Sequence, residues 1–275
     1  MEVGVFPLDV SYEACQETSP PPSKARKVKR KWSIGKKHSN LMSVYTCAVE
    51  ITGNGVVFST RMILMLDDEK KKLLETCKKM DELDLVIGSS GNVSTKTGDH
   101  VVITPTSILY AEMVLDDVVI VNSDGEVVEG NRSPSIELPM HLEIYRSRDD
   151  VSAVVHTHSI YASAMAVLRE PLPPIIDEVI PKTGGDVRVS EYAMPGSNEL
   201  GENVVKVLDR RSAALIANHG AVCVGKTLKG ALRLAVMLER ACKIYMLAKQ
   251  AGEPHTLPED VVEDEKDLWE FMKDH

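Results

Sequence analysis

Aromatic residues are scarce in this chain of 275 residues, making up 4% of it. Proteins that hold single-stranded nucleic acid stack the bases on aromatic side chains, so this scarcity argues against such a surface. The formal net charge of −9 also opposes non-specific binding to phosphate backbones. We therefore expect no nucleic-acid partner for the body of the chain.

Closely spaced cysteine pairs and long apolar runs are absent as well. The five cysteines are odd in number and include no C-x-x-C pair, which excludes a disulfide framework and is typical of a reducing compartment. No apolar run reaches the roughly 18 residues of a membrane span. The start of the chain carries acidic residues and no basic cluster, unlike a secretory signal. These features predict a cytoplasmic protein with no membrane partner.

Charge divides the chain into unequal parts. Residues 1–66 hold nine basic and five acidic residues, a balance of +4, so the remainder carries −13. The stretch SPPPSKARKVKRK predicts that residues 1–66 are a basic, Pro-rich extension, disordered in part. A nuclear-targeting or nucleic-acid patch is the alternative interpretation of that stretch. The segments VYTCAVEI and GVVFST, on either side of Gly53-Asn54-Gly55, suggest a hairpin within the extension.

From Asp67 onward the pattern is that of a mixed α/β domain, which we place at residues 67–252. An amphipathic helix beginning near Asp67 is followed by strand HVVITPT, a tight hairpin at Asp124-Gly125 and strand VSAVVHT. Farther on, VRVSEYA and AALIANHG predict strands. One helix is predicted from Asn198 to about Leu208, and TLKGALRLAVMLERACKIYMLAKQA predicts a long helix that ends at Gly252. The fold class indicated is α/β, a mostly antiparallel central sheet flanked by helices. Residues 253–275 form an acidic tail with room for one short helix.

Three histidines are candidates for metal binding. In VVHTHS, His156 and His158 alternate along a strand and so share one face, and His219 ends the apolar strand AALIANHG. Three neutral imidazoles with one open position make a catalytic zinc site. An H-x-H pair also arises by chance, so the pair alone decides little. His141 either supports such a site or is simply packed.

Glu137 and several small polar residues could act beside such a metal. Glu137 lies near the start of a predicted helix, where it suits an acid/base role or merely complements the helix dipole. The turn GSSGNVS, the segment TPTS and Ser135 offer hydroxyls and backbone N–H groups of the kind that cradle a phosphate. Each of these three clusters is common on its own.

The order and spacing of five segments make the resemblance specific. GSSGNVSTK, VVITPTS, SPSIE-x3-H, AVVHTHS and ANHGAVCVG resemble class II aldolases of the fuculose-phosphate aldolase type, over about residues 67–252. The broader family also contains ribulose-phosphate 4-epimerases, methylthioribulose-1-phosphate dehydratases and adducin head domains. The resemblance implies an α/β/α sandwich and a homotetramer with active sites between subunits.

The resemblance also assigns roles to residues. It implies one Zn²⁺ per subunit, or another divalent metal, held by His156, His158 and His219, with Glu137 as the acid/base. The substrate phosphate is expected among Ser89, Gly91, Asn92, Thr106, Ser107 and Ser135. The implied reaction is reversible cleavage of a ketose 1-phosphate, similar to L-fuculose 1-phosphate, into dihydroxyacetone phosphate and a small aldehyde.

Two departures from the family pattern concern the ends of the substrate. Ile136 stands where the aldolase pattern has a second serine, which removes one phosphate contact. Glu178 aligns with a tyrosine that serves the aldehyde end from a neighbouring subunit, so the aldehyde stays open. Three alternatives stay open: an epimerase, a dehydratase and an adducin-like interaction module. The epimerases have an aspartate at the position of Glu137.

Overall fold

The computed structural model describes residues 29–33, 46–50 and 57–274. The chain divides into two compact units, residues 1–61 and residues 62–275. In the first unit, β1 (Lys29–Ser33) pairs antiparallel with β2 (Thr46–Glu50). The expected hairpin paired VYTCAVEI, which contains β2, with GVVFST, whereas β2 pairs with β1. The turn Gly53-Asn54-Gly55 lies outside the described residues, and the chain is helical from Val57.

The second unit alternates strands and helices. Its strands are β3 (Asn92–Thr97), β4 (His100–Ile103), β5 (Val119–Asn122), β6 (Val127–Glu129), β7 (Ala153–Thr157), β8 (Ala213–Ile216) and β9 (Gly220–Gly225). The helices are α1 (Val57–Glu82, whose first residues belong to the first unit), α2 (Leu138–Ser147), α3 (Ile160–Leu168), α4 (Ile180–Thr183), α5 (Asn198–Leu208), α6 (Leu228–Ala251) and α7 (Glu259–Asp274). A single 3-10 turn covers Leu115–Asp117.

The seven strands of the second unit form one sheet in the order β6-β5-β4-β3-β7-β9-β8. Every neighbouring pair in it is antiparallel. The predicted α/β class with a mostly antiparallel sheet is therefore confirmed. This order makes β3 the central strand and places β7 in the interior of the sheet, between β3 and β9, with its His156 end beside the start of β3.

Helices cover both faces of the sheet, as the alternation of side chains along β7 shows. Val155 packs into one hydrophobic cluster with Leu73 of α1 and Leu238 of α6. Val154, which points the opposite way, packs into a second cluster that includes residues of α2 and α5. The two clusters make the sheet the middle layer of an α/β/α sandwich, as the family resemblance implies.

Several predicted boundaries differ from the observed ones. Helix α1 begins at Val57, ten residues before Asp67, because the apolar run VVFSTRMILML continues the helix toward the N-terminus. The predicted strand VRVSEYA is wrong: Val187 bridges Leu172 while Val189 bridges Leu215 in the opposite sense, so no continuous ladder forms. The predicted helix from Asn198 is confirmed as α5.

The C-terminal tail forms a helix of 16 residues, α7, where one short helix was expected. Its Trp269 is buried against Gly184, where an added Cβ would come within 2.8 Å of the indole ring. Among the residues that the structure describes, no helix combines the length and apolar character needed to cross a membrane.

Candidate metal and catalytic site

Three imidazoles converge at the carboxyl end of β7. His156 is the fourth residue of that strand, His158 follows it directly, and His219 lies in the turn between β8 and β9. Nε2 of His156 lies 2.9 Å from Nε2 of His158 and 3.3 Å from Nε2 of His219. Ligands about 2.0–2.1 Å from a tetrahedral ion are themselves about 3.3 Å apart. The predicted triad is thus brought together at a spacing that fits one ion.

Backbone contacts fix the orientation of these rings. Nδ1 of His156 lies 2.9 Å from the carbonyl oxygen of Ala221 and donates to it, which leaves Nε2 to face the other two imidazoles. Gly220 sits so close to β7 that an added Cβ would be 2.2 Å from the carbonyl oxygen of Thr157. The turn that carries His219 therefore requires glycine at this position.

A side chain of α6 forms hydrogen bonds with the start of α3, which lies just after His158. Glu239 accepts hydrogen bonds from the backbone N–H groups of Tyr161 and Ala162, each at 2.9 Å. The backbone N–H of His158 itself donates to the carbonyl oxygen of Leu85 at 3.1 Å. A carboxylate at a helix N-terminus is electrostatically favourable, so Glu239 stabilises the segment that supports His158.

The carboxylate of Glu137 completes the cluster. It occupies the position just before α2 and is buried, with Oε2 3.1 Å from Nε2 of His156 and Oε1 3.2 Å from Nε2 of His219. One ligand atom from each of the four residues falls within 4.8 Å of the others. Among the described residues, Oε1 of Glu137 and Nδ1 of His219 are buried without a hydrogen-bond partner. Three nitrogen donors and a carboxylate with an unsatisfied oxygen suit a divalent metal.

The charges in the cluster are coupled. Burial opposes ionisation of Glu137, but the electrostatic interaction and hydrogen bond with His156, with a smaller contribution from His219, outweigh it and hold the pKa of Glu137 below its ordinary value. Burial likewise opposes a charge on His156, yet Glu137 raises the pKa of His156 above its ordinary value. Burial, followed by the charge on His156, lowers the pKa of His158 to about 3 and that of His219 to about 4. Both are neutral at pH 7, the form that binds metal.

The three small polar clusters lie at neighbouring parts of the fold. Pro105 bridges Pro134, and the N–H of Ser135 donates to the carbonyl oxygen of Thr104, which joins the TPTS segment to the residues before Glu137. The Thr104 hydroxyl accepts from the N–H of Val93 at 3.2 Å, which ties the same segment to β3.

The individual phosphate candidates differ in exposure. Ser89 and Ser107 are exposed, and the hydroxyls of Thr106 and Ser107 lie 3.4 Å apart. Ser135 is buried, and its hydroxyl accepts from the N–H of Glu137 at 3.2 Å. Gly91, at φ 71°, approaches β7 so closely that a Cβ would lie 2.6 Å from the carbonyl oxygen of His156.

Asn92 faces the interior of the cluster. Its side-chain amide donates to Oε2 of Glu137 at 2.7 Å, and its Oδ1 lies 2.5 Å from Nε2 of His141. Sequence reasoning gave no role to Ser94 or Tyr145, which continue this contact behind His141. The available signal was spacing, since Ser94 is two residues from Asn92 and Tyr145 four from His141.

Glu178 is exposed and pairs with Arg240 at 2.5 Å.

The fold is that of the class II aldolases. A solved L-fuculose 1-phosphate aldolase is 41% identical and superposes with a TM-score of 0.72, over 74% of this chain and 97% of that one. Residues 71–246 match the family model for the class II aldolase and adducin N-terminal domain. The chain therefore belongs to the class II aldolase and adducin family.

Curated relatives point to the same class of enzyme. The 5-deoxy-D-ribulose 1-phosphate aldolase of Bacillus thuringiensis is 39% identical over 73% of this chain and 94% of its own length. A 5-methylthioribulose-1-phosphate/5-deoxyribulose-1-phosphate aldolase of Rhodospirillum rubrum is 37% identical, over 70% and 86%. The L-fuculose phosphate aldolase of Escherichia coli is 33% identical, over 67% and 85%. The predicted family and enzyme class, a carbon–carbon lyase of the class II aldolase type, are confirmed.

Proposed function

We propose that this protein is a zinc-dependent aldolase that reversibly cleaves a ketose 1-phosphate into dihydroxyacetone phosphate and a small aldehyde. The observation that carries this proposal is the convergence of three imidazole Nε2 atoms beside the buried carboxylate of Glu137. In this assignment His156, His158 and His219 hold the ion.

The proposed substrate is a ketose 1-phosphate with an apolar far end. The relatives from Bacillus and Rhodospirillum are named for 5-deoxyribulose 1-phosphate, and others for L-fuculose phosphate. Both sugars end in a methyl group, so the released aldehydes are acetaldehyde and lactaldehyde. Glu178, where the aldolase pattern has a tyrosine, makes the aldehyde end the place where this chain is expected to differ.

The protein's contribution to the reaction centres on one proton. A divalent metal, when bound, polarises the substrate carbonyl and stabilises negative charge on its oxygen. Cleavage of the C3–C4 bond releases the proton of the C4 hydroxyl as the aldehyde forms, and the electron pair left at C3 takes up a proton. Glu137 is the acid/base in this assignment and delivers that proton to C3. In the condensation direction the Glu137 carboxylate removes it.

We assign the phosphate to the turns in front of the imidazoles. Ser89, Thr106 and Ser107 offer exposed or half-buried hydroxyls, and Gly91, Asn92 and Ser135 complete the proposed set. Since both ends of the Asn92 side chain are already hydrogen-bonded, we propose that this side chain serves Glu137 and that the other five residues serve the phosphate. Ile136, which cannot hydrogen-bond through its side chain, is 64% exposed.

Two further features belong to the proposal. The buried thiols of Cys77, Cys223 and Cys242 suit a reducing cytoplasm, where we place the enzyme. We also propose a homotetramer with active sites between subunits, a state that the family resemblance implies.

A cleavage assay tests the proposed function. L-Fuculose 1-phosphate, 5-deoxyribulose 1-phosphate, 5-methylthioribulose 1-phosphate and ribulose 5-phosphate are supplied to the zinc-loaded and the chelator-treated protein. Release of dihydroxyacetone phosphate from a 1-phosphate, lost on chelation and restored by zinc, is the expected result. Epimerisation of ribulose 5-phosphate, or loss of water from the methylthio sugar without C–C cleavage, would contradict an aldolase.

A further inference from the structure

Behind Glu137 lies a buried row of hydrogen-bonded side chains that the reaction above does not employ. Oε2 of Glu137 accepts from Nδ2 of Asn92 at 2.7 Å, and Oδ1 of Asn92 lies 2.5 Å from Nε2 of His141. Nδ1 of His141 lies 2.6 Å from the Ser94 hydroxyl, which lies 2.7 Å from the Tyr145 hydroxyl. All five side chains are buried, His141 and Ser94 completely.

The row follows from the match between a helix and a strand. Glu137, His141 and Tyr145 are spaced by four residues and lie on one face of α2 and its first cap, while Asn92 and Ser94 alternate along β3. Four helical residues rise about 6 Å and two strand residues about 6.6 Å. Side chains from α2 and β3 therefore interleave, each within reach of the next.

The direction of each hydrogen bond can be deduced from the Glu137 end. A carboxylate only accepts, so Asn92 must turn its NH₂ toward Glu137 and its carbonyl toward His141. That carbonyl also only accepts, so Nε2 of His141 carries a proton. Nδ1 of the neutral ring then accepts from the Ser94 hydroxyl, and Ser94 in turn accepts from Tyr145. Burial, and next the charge on His156, lowers the pKa of His141 to about 3, consistent with a neutral ring.

We propose that His141 is a positioning residue: its Nε2–H holds the Asn92 amide in the orientation that donates to Glu137. The proposal rests on the function proposed above, in which Glu137 moves the proton. Without this imidazole the Asn92 carbonyl loses its hydrogen-bond donor, and the side chain is free to swing away from the carboxylate. Glu137 then loses the donor that fixes its orientation, while the imidazoles that hold the metal keep theirs.

The first test reads the tautomer directly, without any substrate. Nitrogen-15 NMR of the folded, zinc-loaded protein at neutral pH distinguishes a protonated ring nitrogen from an unprotonated one, with His141→Gln used to assign the His141 signals. The expected result is a protonated Nε2 and an unprotonated Nδ1. A ring protonated at Nδ1 and not at Nε2 would overturn the proposal whatever the reaction of the enzyme proves to be.

The second test compares two replacements of His141. Glutamine places a donating nitrogen near the position of Nε2, whereas leucine fills similar space without a donor. We expect His141→Leu to lower kcat about 10–100-fold, with KM and bound zinc within about twofold of the parent protein, and His141→Gln to recover most of kcat. His255→Gln, at an exposed histidine, is the matched control and should leave all three quantities unchanged.

Other outcomes separate the possibilities. Equal losses of kcat in the leucine and glutamine variants, in step with their melting temperatures, would show a packing role and overturn the proposal. If His141→Leu does not fold, Ser94→Ala supplies the comparison, and an unchanged kcat together with an Nδ1–H tautomer in that variant would overturn it as well. A parent protein that cleaves no sugar phosphate contradicts the proposed function instead, and leaves the tautomer reading to decide the hydrogen-bond direction.

Discussion

Oε1 of Glu137 lies 3.2 Å from Nε2 of His219. The carboxylate therefore faces the imidazole nitrogens from the α2 side of the sheet, while the end of β7 and the β8–β9 turn supply the nitrogens. A carboxylate at such a position can be a fourth ligand or a proton carrier. The two roles differ in what happens to the metal when the charge is removed.

Replacing Glu137 by glutamine separates these roles. Glu137→Gln keeps the shape but carries no titratable proton, so turnover should fall on the order of 10²–10⁴-fold, while zinc content, measured by atomic emission, stays at the parent level. Glu143→Gln, on the same helix and half-buried, should leave both unchanged. Loss of zinc from Glu137→Gln would make Glu137 a ligand and refute the acid/base assignment.

Removing one imidazole should remove the metal. His158→Ala leaves two nitrogens for an ion that takes at least three protein ligands in catalytic sites, so we expect about one equivalent of zinc to be lost and turnover abolished. His255→Ala, at an exposed position, should behave like the parent protein. Full activity after exhaustive chelation would refute the metal assignment.

The close approach of β3 to β7 gives a prediction about backbone geometry. Gly91 has φ 71°, and a Cβ there would lie 2.6 Å from the carbonyl oxygen of His156. Gly91→Ala should therefore lower the free energy of unfolding by about 1–3 kcal/mol and displace the strand end that carries His156, with loss of zinc affinity. Gly252→Ala, where nothing lies within 4 Å of the added Cβ, should change stability by less than about 0.5 kcal/mol. Equal effects of the two substitutions in urea unfolding would contradict this account.

Local pattern was enough to predict the parts of the site that single strands carry. Alternation along β7 put His156 and His158 on one face, and the apolar run before His219 placed it at a strand end. The Asn92–His141–Ser94 contacts depend on how α2 lies along β3, which no local pattern specifies. For the same reason the contact of the Asn92 side chain with Glu137 was not predicted, and Asn92 was placed among the phosphate residues because the family resemblance implies it.

The basic extension should be dispensable for the reaction, since we propose that the catalytic domain is residues 67–252. The buried apolar residues of α1 that the structure describes, Leu66, Leu73, Cys77 and Met80, all follow Met65. A chain starting at Met65 should stay soluble, bind zinc and keep kcat within about twofold, because it retains this packing face. Insolubility or lost turnover would show that the preceding residues contribute to the fold or the site.

Apolar side chains beside the site lead to the prediction of oligomeric state. Ile87 precedes the GSSG turn and is 83% exposed, and Ile160, two residues after His158, is 72% exposed. Exposed apolar groups on separate elements around one site are typical of an interface. A site with an open metal position also needs water excluded on the substrate side. Helix α3 begins two residues after His158 and β9 begins directly after His219, so neither histidine is followed by a loop that could form a lid. A neighbouring subunit can supply that wall.

We therefore predict a cyclic homotetramer whose isolated subunits bind zinc but turn over poorly. Light scattering across a dilution series, with activity and zinc measured on the same samples, tests this. Specific activity should fall together with the tetramer fraction, while zinc per chain stays constant. Ile160→Asp should shift the mass toward smaller species and lower kcat because it puts a charge into the apolar contact. Glu265→Gln, at a half-buried position on α7, should change neither the mass nor kcat. A monomer with full activity at high dilution would rule out a site shared between subunits.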